Sequence, residues 1–106
     1  MEQDKYKRLT EDMKYALNEG DKAVEDMEDG GTCNCDSPTL FLKGFDEGKA
    51  IAAITAAGSG AWRYKGQYII SPCISAQGEP RTVKAEKMCS VLRSRGYDAG
   101  VYYQMD

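Results

Sequence analysis

The chain has 106 residues, of which 42% are hydrophobic and 29% charged, and its formal net charge is −3. That length suits one domain with one modest core, and the composition excludes an intrinsically disordered polymer. Histidine is absent, which removes the commonest general base and the commonest metal ligand and lowers the expectation of an enzyme. Because the sequence has neither a membrane-length apolar run nor an N-terminal signal segment, we expect a cytoplasmic protein with reduced cysteines.

The first predicted element is an acidic helix over residues 4–28. Apolar or small residues recur there at steps of three and four, which is the period of one helix face: Tyr6, Leu9, Met13, Ala16, Gly20, Ala23 and Met27. The segment around Gly20 and Asp21 also has the composition of a helix stop followed by an N-cap. The sequence therefore leaves one helix, or two helices joined by a kink, as alternatives.

Two glycines, Gly30 and Gly31, end this acidic arm at residues 1–31, and a linker with two cysteines follows at residues 32–38. The next predicted element is a strand over residues 39–45, where apolar residues alternate with period two. Asp46 is the expected N-cap of a helix through residue 57.

A hairpin is predicted over residues 61–72, with its turn at Lys65 and Gly66. In this hairpin Trp62 and Tyr64 are expected opposite Tyr68 and Ile70.

The last two predicted elements are a helix and a strand. The helix is expected to begin near Pro80 or Thr82 and to end at Gly96, with its inward face formed by Ala85, Met88 and Leu92. A final strand follows over residues 96–104.

The order after the acidic arm is strand, helix, strand, strand, helix, strand, which predicts an α+β class and a ferredoxin-like βαββαβ sandwich over residues 39–106. Such a sandwich has a four-stranded antiparallel sheet with both helices on one face. Many unrelated functions use this fold, so it indicates no one of them. Arm, linker and sandwich are expected to form a single compact unit.

The cysteines give one functional alternative, a zinc site. The start of the first strand and the end of the third lie side by side in the predicted sheet, which brings Cys33 and Cys35 toward Cys73. Asp36 or water would complete such a site. Cys89 lies beside the inward stripe of its helix and is expected to be an ordinary core thiol. The competing interpretation, which we favour, is that all four cysteines are reduced thiols of the linker and core.

The bare face of the predicted sheet gives another candidate surface. If Leu40 and Leu42 face the helices, Phe41 and Lys43 are exposed on the opposite side. An RNA-recognition motif stacks bases on aromatic side chains of such strands, but the third predicted strand lacks its aromatic-rich pattern. The acidic arm would also repel phosphates, so direct nucleic-acid binding is disfavoured. Some of the sheet aromatics are instead expected to pack against the N-terminal helix, and a small ligand on the sheet face stays a further alternative.

Charge is concentrated in the arm, which leads to the main functional hypothesis. Residues 1–31 contain ten acidic and five basic side chains, whereas the rest of the chain contains seven acidic and nine basic ones. We therefore expect a small non-enzymatic cytosolic regulator or inhibitor, of the kind that phages or mobile elements encode, which binds a protein with a basic surface. No resident cofactor is expected. The apolar side of the arm is expected to pack on the sheet or to pair with a second copy of the chain in a homodimer. The residues expected to contact the partner are Glu19, Asp21, Glu25, Asp26, Glu28 and Asp29.

Overall fold

The computed structural model describes residues 2–25, 37–71 and 79–102. Three helices and four strands follow one another in this order: α1 (Glu2–Val24), β1 (Ser37–Phe41), α2 (Glu47–Ala56), β2 (Gly60–Tyr64), β3 (Gln67–Ser71), α3 (Glu79–Ser94) and β4 (Asp98–Tyr102). The predicted α+β class and the predicted order of elements are confirmed. Strand β1 begins at Ser37, inside the segment that the sequence assigned to the linker.

The four strands form one sheet in the order β2-β3-β1-β4, and each neighbouring pair is antiparallel. The four-stranded antiparallel sheet is therefore as predicted, and its strand order is compatible with a ferredoxin-like arrangement. Helix α2 packs against β2, and α3 packs against β1 and β4. Asp46 caps α2 as expected, because its Oδ2 accepts a hydrogen bond from the backbone N–H of Lys49 at 3.0 Å.

The hairpin between β2 and β3 turns where predicted, but the predicted cross-strand pairing is wrong by one residue. Lys65 and Gly66 both have positive φ, 51° and 81°, as a two-residue type I′ turn requires. A turn of that length places Tyr64 opposite Gln67, and consequently Trp62 opposite Ile69. Because side chains alternate between faces, Trp62 and Tyr64 lie on the other face of the sheet from the core residues Tyr68 and Ile70.

Helix α1 is continuous through Gly20, so the alternative of two helices joined by a kink is wrong. Gly20 serves close packing instead, because a Cβ atom there would lie 2.9 Å from Cγ of Lys84 and 3.1 Å from Cγ of Met88. The helix ends at Val24, and Glu25 lies in the turn after it. The remainder of the predicted helix lies outside the described residues.

One hydrophobic core holds the elements together. Helix α1 packs chiefly against α3 and, less extensively, against α2. It contributes Leu9, Met13 and Ala16 to the core that also contains Leu40 and Ile70 of the sheet. Because α1 lies on the helical side, the expectation that it covers the sheet aromatics is wrong.

Candidate functional site

The face of the sheet opposite the helices carries three large, exposed aromatic side chains. Phe41 at the end of β1 is 46% exposed, and Trp62 and Tyr64 of β2 are 49% and 38% exposed. Thr39 of β1 and Ile69 of the neighbouring strand β3 lie on the same face and are buried. We call the three exposed aromatics and these two central residues the open face. None of the helices in the described ranges packs on it.

Two ammonium groups border the open face at the end where β1 finishes and the hairpin turns. Lys43, the other residue predicted on this face, is exposed in the turn that follows β1. Lys65 Nζ lies 5.3 Å from the centroid of the Tyr64 ring, a cation–π contact. Asp98 pairs with Phe41 in the register of β4 and contributes one carboxylate to the same end. A surface depression of ≈ 570 Å³ beside Phe41 is lined by Phe41, Leu42, Lys43, Gly44, Phe45, Arg63, Gly66, Tyr68 and Asp98.

The acidic residues predicted to contact a partner divide into two groups. Glu19 pairs with Lys22 at 3.3 Å, and Asp21 pairs with Lys84 at 2.5 Å, so both already have basic partners within the chain. Glu25 is exposed beyond the end of α1. Asp26, Glu28 and Asp29 lie outside the described residues.

The pairing of Asp21 with Lys84 was not foreseen. The Lys84 side chain is 1% exposed, whereas that of Asp21 is 62% exposed, so a buried ammonium reaches a surface carboxylate. The missing Cβ of Gly20 leaves the space through which the aliphatic part of Lys84 passes. Asp21 therefore has a structural role in satisfying a buried charge. The sequence signal for this pair is weak. It consists of Gly20 on the apolar stripe followed by Asp21, and the same two residues are also typical of a helix stop.

A second polar cluster that sequence reasoning missed surrounds Asp12, which is buried in α1. Its carboxylate accepts a hydrogen bond from the Tyr97 hydroxyl at 2.7 Å and forms ion pairs with Arg8 and Arg95 at 3.4 and 3.7 Å. Burial, followed by the hydrogen bond to Asp12, raises the pKa of the Tyr97 phenol well above its ordinary value. This cluster ties the first half of α1 to the turn between α3 and β4.

The cysteines that carried the zinc alternative, Cys33, Cys35 and Cys73, lie outside the described residues. Among residues 2–25, 37–71 and 79–102 there is no group of three potential metal ligands. Cys89 is a free thiol buried in the core, as its place beside the inward stripe of α3 indicated. Burial raises the pKa of this thiol above its ordinary value, which disfavours the reactive thiolate.

Comparison with known proteins identifies no relative of this chain. No protein-family model matches it, and neither a curated protein nor a solved structure is significantly similar. No helix in the part of the chain that the structure describes is both long and apolar enough to cross a membrane. The case for a function therefore rests on the chain's own residues.

Proposed function

We propose that this chain is a small non-enzymatic protein-binding module, a regulator or inhibitor, whose contact surface is the open face. The observation that carries the proposal is the exposure of Phe41, Trp62 and Tyr64 together on a face that none of the described helices covers. Phenylalanine, tyrosine and tryptophan are enriched in protein interfaces, and an apolar patch of this kind on a small domain is typical of a binding site. The lack of histidine supports a binding role over a catalytic one.

The chemistry of the open face favours a protein over a nucleic acid. Lys43 and Lys65 border the aromatics, but Asp98 adds a carboxylate close to Phe41. On the open face the central strand β3 presents Gln67, Ile69 and Ser71, so this strand offers no aromatic ring there for base stacking. The chain is also acidic overall, which opposes the approach of phosphates.

The acidic residues that follow α1 in the sequence supply a second means of recognition in the same module. Glu25 is exposed, and Asp26, Glu28 and Asp29 follow it in the sequence. Such a group of carboxylates attracts a basic protein surface and speeds its association. Glu19 and Asp21 are less suited to this role, because each is held by a lysine of the chain itself.

The test of the open face is selection from a random peptide display library on the immobilised full-length protein. Selected peptides are then measured by titration against Phe41→Ser and against a control, Tyr15→Ser, which removes an equally exposed aromatic from α1. We expect at least about a tenfold loss of affinity for Phe41→Ser and less than about twofold for Tyr15→Ser. Equal binding to all three proteins, or no enriched peptide, would contradict the proposal.

Two further measurements separate the alternatives. A fluorescent single-stranded oligonucleotide that binds, and loses affinity in Phe41→Ser, would replace the protein partner by a nucleic acid. The role of the carboxylates is tested by reversing the charges of Glu25, Asp26, Glu28 and Asp29 together. This variant is expected to bind a selected basic peptide with lower affinity and with a smaller salt dependence. Binding that neither salt nor reversal changes would exclude a role for these carboxylates.

A further inference from the structure

The two edges of the sheet differ in how their outward backbone groups are satisfied. On β4, Ala99 pairs with Leu40 of β1, and the Ala99 carbonyl accepts a hydrogen bond from Arg93 Nε at 2.7 Å. A side chain of α3 thus occupies an acceptor of that edge, which hinders the addition of another strand. At the other edge β2 has only β3 as a strand neighbour in the part of the chain described.

The turn length decides which groups of β2 point outward. In a two-residue hairpin the residues that flank the turn, here Tyr64 and Gln67, exchange both backbone hydrogen bonds. Hydrogen-bonded pairs alternate along the strands, so Trp62 and Gly60 also direct their backbone groups toward β3. The N–H and C=O groups of Ala61 and Arg63 therefore point away from the sheet. In the described chain no hydrogen bond from another element reaches them.

We propose that the β2 edge binds the β2 edge of a second copy of this chain in antiparallel orientation, which forms a symmetric homodimer with a continuous sheet. In this register Trp62 lies opposite Trp62 of the second copy. The outward groups of Ala61 then pair with those of Arg63 from the other copy, and all outward donors and acceptors of the strand are used. This dimer requires no partner on the open face, although it brings Trp62 and Tyr64 of that face to the contact between the two copies.

Side-chain size makes the five-residue strand complementary to itself in this register. On the open face Tyr64 lies opposite Gly60, so a large ring faces a residue without a side chain, and the two Trp62 rings meet at the twofold axis. On the inner face Arg63 lies opposite Ala61. The two smallest residues of β2, Gly60 and Ala61, thus face the long side chains of Tyr64 and Arg63.

The other registers that satisfy the hydrogen-bonding pattern fit less well. A shift that centres the axis on Arg63 places two guanidinium groups directly opposite each other, which is unfavourable. A shift that centres it on Ala61 pairs Arg63 with Ser59, which precedes the strand and whose hydroxyl is bonded to the Ser71 carbonyl at 2.7 Å. The register centred on Trp62 is therefore preferred.

The charges around the β2 edge permit a second copy of the chain to approach it. Arg63 is paired with Glu47 of its own chain at 3.3 Å, and in the preferred register it faces Ala61 of the second copy and not another charge. Helix α1 packs chiefly on α3 and α2. An edge of five residues buries less area than a standard interface, so we expect a dissociation constant of roughly 10 µM to 1 mM.

The test is sedimentation equilibrium of the reduced full-length chain over about 10 µM to 1 mM, for the wild type and two variants of one residue. Ala61→Pro removes an outward N–H that the hairpin does not use, and proline is tolerated on edge strands. Ala61→Val adds similar bulk and keeps the N–H group. We expect a monomer–dimer equilibrium for the wild type and Ala61→Val, and at least about a tenfold weaker dimer for Ala61→Pro.

Amide hydrogen exchange by NMR locates the contact without any substitution. The amides of Ala61 and Arg63 are expected to gain protection as the concentration of protein rises, whereas those of Trp62 and Tyr64 are already protected in the monomer. A wild type that stays monomeric, a dimer equally stable in Ala61→Pro, or protection that appears on β4 instead would overturn the proposal. Phe41→Ser should dimerise normally, which separates this outcome from a failure of the open face to bind a partner.

Discussion

The two faces of the sheet are built from similar residues but have opposite surroundings. On the inner face Leu40, Tyr68 and Ile70 are buried beneath the helices. On the open face Phe41, which follows Leu40 in the sequence, and Trp62, which pairs with Ile69, are about half exposed. Because successive side chains in a strand point to opposite sides, a single residue step separates core from surface.

The comparison shows that apolar character alone does not determine burial in this protein. Residues 2–25, 37–71 and 79–102 form three helices, and all three lie on one side: α2 and α3 on the sheet, and α1 on α2 and α3. The helical side therefore uses its apolar residues for folding, whereas the three exposed aromatic side chains of the open face contribute little to it. An exposed aromatic surface that folding does not require is best explained by binding.

The largest expected difference between the faces is in stability, tested by adjacent residues of β1. Leu40→Ala creates a cavity in the core and should lower the free energy of unfolding by about 2–5 kcal/mol. Phe41→Ala removes an exposed ring and should change it by less than about 1 kcal/mol. Urea denaturation of both variants measures the difference. Costs of similar size would show that the open face is part of the folded core and remove the basis of the proposed binding surface.

The next effect concerns charge on the helical side. Asp21→Ala leaves the buried ammonium of Lys84 without its carboxylate and should lower the free energy of unfolding by about 1–3 kcal/mol, reduced from a fully buried pair because Asp21 is exposed. Lys84→Met replaces that ammonium by an apolar chain of similar length and should cost less than about 1 kcal/mol.

Comparison of the double variant with the two single ones isolates the pair itself. In the background of Lys84→Met, the substitution Asp21→Ala is expected to have almost no effect on urea unfolding. If Asp21→Ala lowers the free energy of unfolding equally with and without Lys84, the loss of stability does not come from the ion pair. Asp21 would then again be available to a partner.

Much of the fold could be predicted because each element has its own local signal. The strand alternation, the capping Asp46 and the Lys65-Gly66 turn all depend on residues close together in the chain. The correct pairing of β2 with β3 also follows from a local feature, the two-residue turn. The predicted pairing was wrong because it did not place the two residues that flank this turn opposite each other. Cys89 was placed in the core by helical periodicity alone.

The other errors involve contacts between elements far apart in sequence. Gly20 suits a helix stop locally, and only the close approach of α3 explains why a continuous helix needs it. Tyr97 and Lys84, which bind Asp12 and Asp21, lie more than sixty positions away from them in the sequence. An acidic helix therefore looked like a surface for partners, although two of its carboxylates stabilise the helical side. Similarly, nothing local to β2 indicates that α1 leaves Trp62 uncovered.

The smallest effect concerns pH and the hydrogen bond from Tyr97 to Asp12. Because the pKa of Tyr97 is raised in the folded state, its contribution to stability is fully present below pH 10, the ordinary value, and is lost as the pH rises above it. Tyr97→Phe should therefore cost about 1 kcal/mol at neutral pH, and this difference from wild type should shrink above pH 10. Urea unfolding across the alkaline range measures it, with Tyr64→Phe on the open face as a control that should stay within about 0.5 kcal/mol of wild type. A difference for Tyr97→Phe that does not change with pH would mean that the phenol contributes by packing and that the Asp12 cluster holds α1 without it.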